Sequence, residues 1–81
     1  MVKGTPRVQS VDRALALLEI VAASDGDVAI TTLAAKAGIH VSTAHRLLAT
    51  LVARGYVTHD ERTRRYRAGD ALTNLAPRRP R

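Results

Sequence analysis

Apolar residues recur along the chain at helical spacing, interrupted by short runs that suit strands. Val11, Ala14, Leu15, Leu18, Val21 and Ala22 fall three or four apart, which predicts an amphipathic helix with this set facing a core. Leu17 and Ile20 widen the stripe, either as a broader core face or as a contact between subunits. Ser10 suits the N-cap, and Asp12 lies in the first turn, where the helix dipole favours negative charge. Ser24 to Asp27 (SDGD) is a turn cluster that ends the helix, and Val28 to Ile30 is long enough for one short strand.

Thr31 to Gly55 reads as two helices joined by a tight turn. Thr31 is placed to cap the first, and Leu33, Ala34 and Ala37 give it an apolar face. Gly38 supplies a left-handed exit and Ile39 plugs the turn. The second helix starts near His40 to Ser42 and runs to Arg54, where Gly55 stops it. Ala44, Leu47, Leu48, Leu51 and Val52 share its apolar face. The opposite face carries Ser42, Arg46, Ala49 and Ala53, flanked by Thr43, His45 and Thr50.

Beyond Gly55, Tyr56 to Thr58 predicts a strand and His59 to Arg64 an exposed polar loop. Arg65 to Ala68 alternates, with Tyr66 and Ala68 on one side and Arg65 and Arg67 on the other. Asp70 is placed to cap a last helix, Ala71 to Ala76, which Pro77 would end. The order helix, strand, helix, helix, strand, strand is that of a winged helix-turn-helix: mainly α, a three-helix core plus a small β-hairpin wing, then a short linker helix. The division this implies is a mobile basic arm at 1–9, the winged domain at 10–69, the start of a linker helix at 70–76 and a disordered basic tail at 77–81.

Composition narrows the function. Eighty-one residues make one small domain, near the size at which a single core is marginal. A net charge of +6 points to a polyanionic partner, nucleic acid before membrane, and no apolar run approaches the length of a membrane span. The absence of cysteine excludes disulfides and thiolate metal sites; a cytoplasmic protein is the simplest expectation. Tyr56 and Tyr66 are too few aromatics for a single-strand stacking platform. His40 and His45 stand five apart rather than four, with no ligand set around them. The hydroxyl residues lie in caps and turns rather than beside a base and its orienter, and no glycine-rich phosphate loop exists. No metal, cofactor or catalytic role is expected.

Small, hydrogen-bonding residues with one arginine suit a helix that lies in a DNA groove. Arg46 is the leading base or phosphate contact. Ser42 and Thr43 at the helix start suit a phosphate, or plain capping, and His45 and Thr50 flank the groove-facing side. Arg62, Arg64 and Arg65, with Arg67, are dense enough for phosphate or minor-groove contact, although Arg67 has the alternative of lying against the sheet. Arg13 lies off the expected apolar face and reads as a surface charge or a local pair near Asp12, with a phosphate contact as the lesser alternative.

Three blocks resemble the N-terminal domain of IclR-type transcriptional regulators: VQSVDRALALLEIVA at Val8 to Ala22, LAAKAGIHVSTAHRLLATLVARGYV at Leu33 to Val57, and RYRAGDAL at Arg65 to Leu72. The resemblance implies a bacterial or archaeal regulator that binds double-stranded operator DNA as a dimer. It matches Ser42-Thr43-Ala44-His45-Arg46 to the recognition-helix motif, Thr32 to a position near the DNA backbone, and Arg62, Arg64 and Arg65 to the wing. Ala68 departs from the larger aliphatic residue that the family usually has before Gly69. Family members continue through the linker helix into a larger effector-binding domain. Here that helix meets Pro77, so no small-molecule effector is expected to act on this chain. Sequence-specific binding of duplex DNA in control of transcription initiation, as a homodimer or a heterodimer with a related regulator, is the reading that results. The rivals are a truncated interaction module that modulates a full-length relative without specific DNA binding of its own, and an RNA-binding winged helix.

Overall fold

A computed structural model describes residues 6–75. The elements run α1 (Gln9–Ala23), β1 (Val28–Ala29), α2 (Ile30–Ala37), α3 (Val41–Ala53), β2 (Val57–Asp60), β3 (Arg65–Ala68) and α4 (Asp70–Leu75). This is the expected winged helix-turn-helix. Residues 1–5 of the expected arm, together with Ala76, the stop at Pro77 and the tail, lie outside the described residues.

Three helices pack around Leu17, Val21, Leu33, Ala34, Ala44 and Leu48, and the sheet closes the core with Val28, Val57 and Tyr66. The sheet is antiparallel in the order β1-β3-β2, so the last strand in sequence is the central one. Tyr66 stands opposite Val28 on one side and His59 on the other, the point at which the wing is stitched to the strand that leads into α2.

The glycine exits are as expected. Gly38 adopts φ +71, with its N–H donating to Ala35 O and the Ile39 N–H to Ala34 O. Gly55 repeats the pattern at φ +83, with its N–H donating to Val52 O and the Tyr56 N–H to Leu51 O. Both are Schellman closures, which satisfy carbonyls that a helix end otherwise leaves open.

Several local expectations are corrected. Val8, not Ser10, holds the N-cap position of α1, and Ser10 lies inside the first turn, where its hydroxyl makes no capping bond. Thr31 likewise falls inside α2, because β1 runs directly into the helix with Ala29 at the cap position. At the other end of α1, the Ser24 hydroxyl donates to Ile20 O at 2.7 Å and helps to end the helix before the turn. The buried face of α1 is rotated from the predicted one: Leu17 and Val21 are buried, whereas Val11 and Leu15 are 54% and 53% exposed. His59 and Asp60 belong to β2, which shortens the wing loop to residues 61–64. Ala68 is exposed instead of sharing Tyr66's burial, so the small side chain there leaves no core position unfilled.

Candidate DNA interface

The exposed side of α3 follows from its amphipathic sequence. Burial of Ala44 and Leu48 turns Ser42, His45, Arg46, Ala49 and Thr50 to solvent, with Thr43 half-buried at the margin. His40 occupies the N-cap position with no side-chain cap bond. Thr32 is exposed in the first turn of α2.

The wing loop is built around Asp60. Its Oδ1 accepts the Arg62 N–H at 2.9 Å and the Thr63 N–H at 3.4 Å, and its carbonyl accepts the Arg64 N–H at 2.6 Å. This Asx arrangement turns the chain within the loop and leaves Arg62, Arg64 and Arg65 exposed. Arg64 takes φ +61, the one non-glycine residue with positive φ among those described.

Two clefts join these elements. The first lies between α3 and the wing, lined by His45, His59, Glu61, Arg64, Tyr66 and Ile30. His59 stacks on Tyr66 with ring centroids 4.5 Å apart, which fixes the cleft floor. Burial pushes the Tyr66 phenol above its ordinary pKa, so it stays neutral here. The second cleft lies between the start of α1 and α3, lined by Gln9, Ser10, Arg13, Thr43, Arg46, Leu47 and Thr50. Of the sequence candidates, His45 and Arg64 thus share one cleft, and Thr43, Arg46 and Thr50 the other. Ser42 is exposed on the same helix, and Thr32, Arg62 and Arg65 line neither cleft.

Charge pairing separates the arginines. Arg67 reaches Asp27 at 3.5 Å, which ties β3 to the loop before β1. Arg7 approaches Asp12 at 3.9 Å. Among the described residues, Arg13, Arg46, Arg62, Arg64 and Arg65 have no carboxylate at ion-pairing distance. No described group of three or more histidine, cysteine or acidic residues is placed to hold a metal ion, and no described helix is long and apolar enough to cross a membrane.

His59 and Tyr66 border the first cleft without having been read from sequence as part of a site, and Arg13 borders the second although a surface charge was the leading expectation for it. Arg13 precedes the buried Leu17 by one helical turn, so it continues the packing face towards α3. Choosing the Leu17–Val21 stripe as the core face would have found it. The His59–Tyr66 pair depends on strand register, for which the two separate strand sequences carried no local signal.

Three core helices, the third with an exposed polar side, and a hairpin define a winged helix-turn-helix domain of the DNA-binding type. The IclR helix-turn-helix domain family matches residues 10–61. The chain belongs to the IclR family. It is 53% identical over 53 residues to the transcriptional repressor IclR of Escherichia coli, covering 65% of this chain and 19% of that protein. It is 34% identical over 68 residues to the glycerol operon regulatory protein of Streptomyces coelicolor, covering 84% of this chain and 27% of that protein. Among solved structures, an IclR transcriptional regulator from Alicyclobacillus acidocaldarius superposes with a TM-score of 0.78 at 30% identity, over 86% of this chain and 28% of that one. The chain therefore spans between about a fifth and just over a quarter of the length of these relatives.

Proposed function

We propose that this chain binds double-stranded DNA in a sequence-specific manner and controls transcription initiation. In this reading α3 lies in the major groove, where Ser42, Thr43, His45, Arg46 and Thr50 meet base edges and the adjoining backbone. Thr32 and the wing arginines Arg62, Arg64 and Arg65 meet phosphates and fix the register. The observation that carries it is the solvent-facing polar side of α3, bordered by arginines that have no described carboxylate partner. Relatives named as a repressor and as an operon regulator support the same function class, regulation by binding rather than catalysis. A bacterial protein of this kind works in the cytoplasm, where the chromosome is.

Pairing of two copies, or of this chain with a related regulator, belongs to the same proposal. Val8 at the N-cap of α1 and Val11 and Leu15 on the helix lie three and four residues apart and are 65%, 54% and 53% exposed. A stripe of that kind on a small domain is favourable to cover.

Selection from a random-sequence duplex pool, followed by anisotropy titration of the best binder against unselected duplex, tests the reading. Wild-type protein is expected to prefer the selected duplex, and Arg46→Ala to lose about 1–3 kcal/mol of that preference if its guanidinium contacts a base in bidentate fashion. An unchanged preference in a folded Arg46→Ala variant removes Arg46 from base recognition. A pool that yields no preferred duplex counts against specificity altogether.

A further inference from the structure

Arg13 is half-buried on α1 and borders clefts on both sides of the first turns of α3. One is the cleft shared with Arg46 and Thr50. The other runs along the turn between α2 and α3, beside Gly38, Ile39 and His40. Arg13 and Thr43 are the two residues that line both. Neither cleft is lined by a carboxylate, and the neighbouring Asp12 is turned to Arg7. Arg13 and Arg46 therefore border one cleft, and neither is ion-paired with any described acidic group. An anion seated there would offset a repulsion that solvent alone must otherwise screen.

We infer that Arg13 is a DNA-contacting residue, holding one backbone phosphate together with the Thr43 hydroxyl at the margin of α3. The inference rests on the DNA-binding reading above and adds α1 to the interface. A guanidinium presents a planar fork of donors that matches two phosphate oxygens, and the hydroxyl beside it donates to a third position on the same group. Arg13 is partly buried, which limits its rotamers, so less freedom is lost on contact than for a fully exposed arginine. Arg46, on the next turn of α3, stays available for a base edge. The phosphate on Arg13 would set how far α3 slides along the groove without itself reading sequence.

The test compares wild type, Arg13→Met and Arg13→Lys by anisotropy, on the best duplex from the random pool and on unselected duplex, over a series of salt concentrations. Arg13→Met keeps a long stem and removes the charge. It is expected to weaken binding to both duplexes by the same factor, about tenfold. The log–log salt slope should become shallower by about 0.9, the share of one phosphate contact. Arg13→Lys is expected to keep the slope and lose part of the affinity, because a point charge replaces the fork. Circular dichroism establishes that each variant is folded, and Arg13→Gln stands in should Arg13→Met fail to fold. Unchanged affinity and slope in a folded uncharged variant overturns the assignment. A loss confined to the selected duplex also overturns it, since it would make Arg13 a base reader. Wild-type protein that binds neither duplex fails the DNA-binding reading itself, a result distinct from both.

Discussion

Arg64 holds a left-handed backbone conformation that costs an L-residue about 1–2 kcal/mol. Glycine is the residue that would relieve it, at the expense of some extra chain entropy in the unfolded state. Arg64→Gly is accordingly expected to raise stability by up to about 1 kcal/mol in thermal or urea unfolding. The same change should weaken binding to selected and unselected duplex alike and flatten the salt slope by about 0.9, if the guanidinium meets a phosphate. A gain in stability with no change in DNA binding would leave Arg64 outside the interface. The exposed face of α3 was legible residue by residue, because periodicity alone decides which side of a helix is wet. The strained backbone at Arg64 was not, because it follows from Asp60 closing the wing loop.

At the scale of elements, close approach is concentrated at Gly69. A Cβ there would fall inside the van der Waals shell of the Gly55 carbonyl, and the carbonyl carbon of Tyr56 is as near as that of Gly55. Gly69→Ala is expected to destabilise the domain by about 1–3 kcal/mol, measured as a fall in melting temperature, because backbone cannot yield as a side-chain tip does. Alanine at Gly26, where nothing lies within 4 Å, meets only its own φ of +123 and serves as the comparison. Sequence located α2 and α3 well because Gly38 and Gly55 mark where each helix must turn left-handed. It misplaced the buried face of α1 for a physical reason. Val11, Ala14, Leu15, Ala16, Leu17, Leu18, Ile20, Val21 and Ala22 surround most of that helix, so periodicity does not choose among its sides. The choice is made by α2, α3 and β3, which pack against it from elsewhere in the chain. The caps at Ser10 and Thr31 failed similarly. A favourable residue type marks a region, while tertiary packing sets the first helical residue within it.

For the whole molecule, the exposed side of α1 sets what concentration should do. Pairing through Val8, Val11 and Leu15 would make sedimentation of the wild type concentration-dependent. Val11→Glu combined with Leu15→Glu is expected to hold the protein monomeric without unfolding it, since both side chains are more than half exposed. The loss of a linked second copy should then weaken binding to a two-half-site duplex far more than to a single half-site. Equal sedimentation of the two proteins would direct the search for a subunit contact away from α1.

The junction that closes around Gly69 also has a mechanical meaning. Gly69 donates its N–H to Tyr56 O at 2.9 Å and Ala71 donates to Gly55 O at 3.0 Å, so α4 is clasped to the residues that terminate α3. A joint of that kind has little slack. Torque applied to α4 would be delivered to the C-terminal end of α3, and through β2 to the wing, instead of being lost in a swivel. The last described helix is thus a handle on the one that faces the groove, and a small turn of the handle would re-aim every side chain along it.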